Sequence, residues 1–360
     1  MKVIVSAGGT GGHLYPALAL VDYIKSVDST SEFLFVGTTD RLESEVVPTM
    51  GYAYEGLYVK GFVGNPIQKG INVCIFLKSL FKSKKILKRF NPDIVIGFGG
   101  YPSASIVLAA SKLGYKTMIH EQNSIIGLTN KILIKSVDEI ICCYKMAYDQ
   151  FPTNKTKLLG NPRASVVSSS NLRNIHDLYG IDEDRKTVVI VMGSLGSATV
   201  NATMKQAISS FKDIDYDIIY VTGKNHYKDF MDSVSDIPEH VHIKQYIDDM
   251  PSLISSCDLL VTRAGATTLA EITALGCASL IIPSPYVVKN HQEYNGQELV
   301  NEDAAEMILE KDVTSEVFVD KINTLIHDDE KLKTLRNNAK ALGKPNATKD
   351  IYEEIVKLVG

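Results

Sequence analysis

The chain has 360 residues, of which 45% are hydrophobic and 22% charged, with a formal net charge of −4. That length is generous for one core and comfortable for two domains, and the acidic balance gives no overall pull toward nucleic acid. No apolar run approaches the ~18 residues of a membrane span, a first strand at Lys2 leaves no room for a signal peptide, and five cysteines without zinc or disulfide spacing fit a reducing cytoplasm.

The opening stretch KVIVSAGGTGGHLYPALAL organises the rest of the chain. Val3 to Val5 read as a strand buried on both faces, because three β-branched residues in a row leave no polar side. Gly8, Gly9, Gly11 and Gly12 flank Thr10 in a tight turn, and Leu14, Ala17, Leu18, Val21 and Ile24 then repeat at helical spacing. A strand, a glycine turn and a helix in succession offer backbone N–H groups to an anion, most often a phosphate. His13 stands on the first residues of that helix. The spacing is neither G-x-G-x-x-G nor a P-loop, so by itself the turn says only that a ligand binds near a helix N-terminus, the alternative being a plain strand-to-helix corner with a bystander histidine.

Further strands are predicted at Glu32–Gly37, Tyr52–Val59, Ile94–Phe98, Thr117–His120, Glu139–Cys143 and Lys157–Leu159, with helices between them. Asp40 reads as the cap of a short helix. After a polar segment from Ser165 to Arg185, the pattern restarts. Thr187–Met192 is a strand, Gly193–Ser197 a small-residue turn, and a helix begins at Ala198. Strands follow at Tyr216–Thr222, Val241–Tyr246, Leu259–Thr262 and Ser279–Ile282. Alternating strands and helices predict an α/β fold of two Rossmann-like, doubly wound parallel sheets facing a cleft. The expected division is 1–162, 163–344, and a terminal helix in 345–360 that crosses back to the first domain.

Two more stretches suit an anion. Ser194 adds a hydroxyl to the second turn, and RAGATTLAE at Arg263–Glu271 leaves a strand and enters a helix. Glu271 is placed to accept from a ribose diol, or else to compensate the helix dipole. Gln292 reads as a sugar contact or an exposed helix cap. Asp213-Ile214-Asp215 precedes a strand, at the sheet end away from the expected ligand, so it reads as a solvated turn and no metal is expected.

GGTGGH at Gly8–His13, GGYPS at Gly99–Ser103, HEQN with GLTNK at His120–Lys131, GNPR at Gly160–Arg163, RAGATTLAE and NHQ at Asn290–Gln292 occur in this order. Together they resemble the MurG family of bacterial peptidoglycan N-acetylglucosaminyltransferases, over nearly the whole chain. The resemblance implies a GT-B fold and transfer of GlcNAc from UDP-GlcNAc to an undecaprenyl-diphosphate-linked muramyl peptide, lipid I, with no cofactor. By matching positions it places Thr10, Gly11, Gly12, Asn123, Arg163, Ser194, Ile247, Arg263, Ala266, Thr267, Thr268, Leu269, Ala270, Glu271 and Gln292 at the donor. Gly99, Gly100, Tyr101 and Ser103 would face the acceptor's diphosphate. Leu195 and Asn290 depart from the family's usual glutamine and aspartate.

His13 is the candidate general base: a helix N-terminus disfavours the imidazolium and leaves the ring able to take a proton. Its competing role is a hydrogen bond to the acceptor's phosphate. A UDP-GlcNAc epimerase of the same fold and a non-catalytic nucleotide-sugar-binding regulator are the rival readings. Finally, INVCIFLKSLFKSKKILKRF at Ile71–Phe90 reads as a helix. Val73, Phe76, Leu77, Leu80, Leu87 and Phe90 are expected to face the core. Ile71, Cys74 and Ile75 face outward and continue into Lys78, Lys82, Lys85 and Arg89. That outer stripe is either an ordinary wet face or a peripheral contact with an anionic membrane, on the cytoplasmic side.

Overall fold

The computed structural model describes residues 1–61 and 65–360. These divide into two compact units, Met1–Ser165 with Asn346–Gly360, and Val166–Pro345.

In the first unit β1 (Lys2–Ala7), α1 (Gly11–Val27), β2 (Glu32–Thr38), α2 (Leu42–Thr49) and β3 (Ala53–Leu57) come first. They are followed by α3 (Pro66–Phe90), β4 (Ile94–Gly99), α4 (Tyr101–Leu113), β5 (Lys116–Glu121) and α5 (Leu128–Leu133). β6 (Glu139–Cys142), α6 (Lys145–Tyr148) and β7 (Thr156–Leu158) complete the sheet, and α7 (Arg163–Ser168) runs across the unit boundary. The second unit holds α8 (Ile175–Tyr179), β8 (Thr187–Val191), α9 (Ala198–Ala207), β9 (Asp217–Val221), α10 (Tyr227–Ser233) and β10 (Val241–Lys244). Next come α11 (Met250–Ser256), β11 (Leu259–Thr262), α12 (Ala266–Leu275), β12 (Ser279–Ile281) and α13 (His291–Asn301). β13 (Glu306–Met307), α14 (Ser315–His327) and α15 (Asp329–Leu342) end it, and α16 (Ala347–Val359) belongs to the first unit.

Both sheets are parallel. Their strand orders are β3-β2-β1-β4-β5-β6-β7 and β10-β9-β8-β11-β12-β13. In each, the chain winds outward from the first strand, then returns to that strand's other side. The switch points therefore lie between β1 and β4 and between β8 and β11, where open α/β sheets bind ligands at the carboxyl ends of their strands. Val3, Ile4 and Val5 are fully buried, as a strand covered on both faces requires. α16 lays Ile351 and Ile355 into the core beside α1, and Tyr352 meets Tyr23 edge-on.

Two local expectations change. The N-cap of α2 is Arg41, with no side-chain bond, so Asp40 lies one residue outside the helix. The two-residue strand β13 closes the second sheet, and nothing in so short a run marks it beforehand.

Candidate functional site

In the first unit the glycine turn is built by close approach. A Cβ on Gly100 would stand 2.5 Å from the Gly8 carbonyl oxygen, and one on Gly8 would stand 2.6 Å from a Pro102 carbon. The turns after β1 and β4 thus touch backbone to backbone, which only glycine allows. Thr10 is the N-cap of α1 but makes no side-chain cap bond, and the first turn carries no acid. The N–H groups of Gly11 and Gly12 are therefore left without intrahelical acceptors.

His13 is half-buried, with Nδ1 2.8 Å from the Gly8 carbonyl oxygen and 3.4 Å from Thr10 Oγ1. A carbonyl only accepts, so Nδ1 carries a proton there, and Nε2 is the ring nitrogen that can present a lone pair. Nε2 faces Gly99, where a Cβ would lie 2.8 Å away. Glu43, absent from the sequence-derived site, is 1% exposed and holds the same turn. Its Oε2 accepts the Gly9 N–H at 3.1 Å, and its Oε1 accepts from Thr38 N and Oγ1 at 2.9 and 2.8 Å. An acid in the first turn of a short helix after a strand was its one signal, and that pattern usually marks a wet surface.

The HEQN stretch is a buried network. The Glu121 carboxylate accepts from Asn123 N, Gly127 N and Asn130 Nδ2 at 3.2, 2.9 and 2.9 Å, fixing the loop that carries Asn123. His120 stacks on Phe98, donates from Nε2 to Gly160 O at 3.0 Å, and accepts on Nδ1 from Gln122 Nε2 at 3.1 Å. Burial pushes its pKa down to about 4, with the nearby His13 adding to the effect and the Gly160 carbonyl opposing it.

Ser103 corrects an expectation. It is fully buried, donates to Ser6 O at 2.8 Å and accepts from Gly99 N at 3.3 Å, so its hydroxyl ties β1 to β4 and leaves none for a diphosphate. Gly100 caps α4 without a side chain, and Tyr101 opens that helix half-buried. Arg163 opens α7, with its N–H on Asn161 Oδ1 at 3.0 Å.

In the second unit α12 begins with neither a side-chain cap nor an acid in its first turn. Gly265 is its cap and offers no side chain, and the first intrahelical bond runs from Leu269 N to Gly265 O. The N–H groups of Ala266, Thr267 and Thr268 are then the orphan donors, and Thr267 Oγ1 is shielded from water with no hydrogen-bond partner among the described residues. Leu269 is fully buried, so its side chain serves the core. Ala270 follows half-buried, and Glu271, 7% exposed, is the sixth residue of α12. That lies past the first turn, where dipole compensation acts. Ile247 is buried just after β10. Gln292 accepts the Ser284 N–H on Oε1 at 2.9 Å, which orients its carboxamide so that Nε2 is the group it presents.

Two other residues are placed differently from expectation. Arg263 is a buried positioning residue: its guanidinium donates to Ile282 O, Pro283 O and Ser197 Oγ at 2.9, 3.2 and 2.7 Å and pairs with Glu310. Ser194 is not the hydroxyl at the helix terminus. Ser197 caps α9 and accepts from Val200 N at 3.3 Å, while Ser194 lies exposed in the turn before it. Asp215 of the D-x-D stretch pairs with His327 at 2.9 Å, and no described cluster of histidine, cysteine or acidic residues is arranged to hold a metal ion.

α3 packs on the core at Leu80, Leu87 and Phe90, as expected, but not at Val73 and Leu77. Its inward face is Asn72, Ser79, Ser83, Ile86 and Leu87, with Ser79 Oγ 2.6 Å from Ser105 Oγ of α4. Small residues let the two helices approach closely, so Val73 and Leu77 move outward, beside Ile67, Ile71 and Phe81, all exposed. Ile75 is half-buried. Lys82 donates to Gly56 O at 2.7 Å and Arg89 pairs with Glu55, so both are committed to β3. Lys78 and Lys85 remain exposed. No described helix is long and apolar enough to cross a membrane.

Residues 3–142 match the Glycosyltransferase family 28 N-terminal domain, and residues 187–353 match the Glycosyltransferase family 28 C-terminal domain. The chain belongs to this family. It is 44% identical over 362 residues, covering all of both chains, to the UDP-N-acetylglucosamine--N-acetylmuramyl-(pentapeptide) pyrophosphoryl-undecaprenol N-acetylglucosamine transferase 1 of Bacillus cereus. The enzyme of that name, without the numeral, from Pediococcus pentosaceus is 41% identical over 98% of each chain. Among solved structures, Acinetobacter baumannii MurG superposes with a TM-score of 0.83 at 26% identity, over 99% of each chain. The UDP-GlcNAc 2-epimerase of Neisseria meningitidis shares the fold at a TM-score of 0.70 and 15% identity, over 99% of this chain and 100% of that one. Two parallel-sheet domains of this kind make the family 28 chain a GT-B protein.

Proposed function

We infer that the chain is an inverting glycosyltransferase that moves GlcNAc from UDP-GlcNAc to O4 of the muramyl group of lipid I, forming lipid II. The observation that carries this is end-to-end identity of 44% with a relative named for that reaction. The local geometry agrees with it. The first unit supplies an imidazole with a bare Nε2 beside a glycine turn; the second supplies an uncapped helix terminus with an orphan threonine hydroxyl. In the reaction the acceptor O4 forms the bond to the anomeric carbon as the bond to UDP breaks, and His13 Nε2 takes the O4 proton. Charge growing on the departing diphosphate is stabilised by the N–H groups of Ala266–Thr268 and by Thr267 Oγ1. Glu271 takes the ribose hydroxyls and Gln292 Nε2 a sugar oxygen.

The test is transfer of labelled GlcNAc to a short-chain lipid I, with EDTA in one arm. A β-linked disaccharide at unchanged rate in EDTA is expected. Conversion of UDP-GlcNAc to its 2-epimer, with no transfer, would favour the epimerase reading instead.

The likeness to enzymes acting on undecaprenol-linked substrates also supports a peripheral membrane contact. The face proposed is the exposed side of α3, where Ile67, Ile71, Leu77 and Phe81 insert and Lys78 and Lys85 meet anionic headgroups. Vesicle binding should fall when Leu77 and Phe81 become serine, while transfer to a water-soluble acceptor persists.

A further inference from the structure

Gly8 and Gly9 share one peptide group, and both of its polar atoms are engaged. Its carbonyl oxygen accepts the His13 Nδ1–H at 2.8 Å, and its N–H donates to Glu43 Oε2 at 3.1 Å. We propose that Glu43 is a positioning residue for His13, acting through this single peptide unit as a carboxylate–amide–imidazole relay. The inference rests on the reading of His13 as the base and extends it to the group that holds the base.

Three observations support the relay. First, among the described residues the hydrogen-bond partners of the Glu43 oxygens are all donors: the N–H groups of Gly9 and Thr38 and the Thr38 hydroxyl. A side chain facing only donors is the ionised carboxylate, and among the described ion pairs none includes Glu43. Its charge is therefore held by hydrogen bonds alone, in the first turn of α2, where the helix dipole favours it. Second, a peptide group that donates to an anion becomes a better acceptor at its carbonyl, because bonds in a chain polarise one another. That strengthens the bond to Nδ1–H and keeps the lone pair on Nε2. Third, the site leaves the carboxylate little freedom. Glu43 is 1% exposed, and a Cβ on Gly8 would lie 3.4 Å from its Oε1.

In transfer, His13 Nε2 gains the acceptor proton and the ring becomes an imidazolium, whose Nδ1–H donates more strongly. The peptide passes this demand to Glu43 with no proton leaving the carboxylate–amide pair. A serine-protease aspartate does the same for its histidine by direct contact; here one amide lies between.

Glu43→Gln replaces two acceptor oxygens by one, so it cannot serve Gly9 and Thr38 together. With purified full-length protein, kcat should fall about 10- to 100-fold, by analogy with metal-bound histidines that lose their outer partner. KM for UDP-GlcNAc should stay within twofold, since the groups proposed to hold its diphosphate, ribose and sugar, Ala266–Thr268, Glu271 and Gln292, belong to the other unit. Thr38→Val keeps the Gly9 bond and should change kcat by less than about threefold. In a His13→Ala background, Glu43→Gln should cost no further activity. A second measurement reads the tautomer directly. In protein with 15N-labelled histidine, long-range 1H–15N correlation should show the His13 proton on Nδ1, and Glu43→Gln should mix the tautomers while the thermal midpoint and donor binding confirm a folded chain. An unchanged tautomer together with unchanged kcat would overturn the relay. Parental activity of His13→Ala would overturn only the assignment of the base, since the tautomer still decides what Glu43 holds.

Discussion

The two units open with the same pattern, a buried strand, a glycine-bearing turn and a helix, yet the turns bend to opposite sides. In the first unit the turn after β1 leans on the turn after β4, across the switch point, through Gly8, Gly100 and Pro102. In the second, the turn after β8 leans away from its switch point onto the turn after β9, where a Cβ on Gly196 would overlap the Thr222 carbonyl oxygen. The capping differs in step. α1 begins uncapped and carries His13, whereas α9 is capped by its own Ser197, which Arg263 also grips. In the second unit orphan N–H groups without a first-turn acid appear instead on α12. A glycine turn therefore marks where backbone must pass close to backbone, and only the capping decides whether an anion has somewhere to bind.

The largest expected effect breaks the comparison at His13. His13→Ala should lower kcat by a factor on the order of 10²–10⁴ with KM for the donor little changed, as for loss of a general base. A near-parental kcat in steady-state assays would make the first turn as purely structural as the second.

Glycine substitutions sharpen it. Gly100→Ala and Gly196→Ala each add a Cβ against backbone at positive φ, +82° and +78°. Roughly 2–4 kcal/mol of stability should be lost at each, read as denaturant midpoints. Gly193→Ala, at φ +84° with nothing within 4 Å of its Cβ, should cost only about 1–2 kcal/mol.

A pH series separates the units again. His120 of the first unit has its folded pKa lowered to about 4, from 6.5, by burial. A depressed value means stability that is present above pH 6.5 and lost as pH falls toward 4, on the order of 3 kcal/mol at the end of that window. His120→Asn should flatten this slope in chemical denaturation. An equal acid loss in parent and variant would assign it to other groups.

The smallest effect compares two hydroxyls of the second unit. Thr267→Val should weaken UDP-GlcNAc binding about tenfold by calorimetry, because the phosphate then loses the bond from a shielded hydroxyl. Ser194→Ala, in an exposed turn, should change it by less than about twofold.

The sheets were legible because a strand covered on both faces must be an unbroken apolar run, and TVVIV or KVIVSA has few other uses. The strand-to-helix corners at Gly8–His13 and Arg263–Glu271 were legible too, since glycine and small-residue patterns are local. Arg263 was misread because its partner Glu310 comes 47 residues later, and no spacing announces a buried ion pair between separate elements. Val73 and Leu77 of α3 were misplaced for a related reason. Hydrophobicity alone turns Val73 and Leu77 inward, but close packing on Ser105 admits only small side chains there.

By itself, then, the sequence determined the alternation of strands and helices, the glycine corners and the family. Each of these is written in residues close together along the chain. The tertiary structure alone decided which turn crosses which switch point, which helix terminus stays uncapped, and that Glu43 reaches the peptide group behind His13. Those outcomes depend on backbones brought together from distant segments, whose approach distances appear only once the sheet is wound.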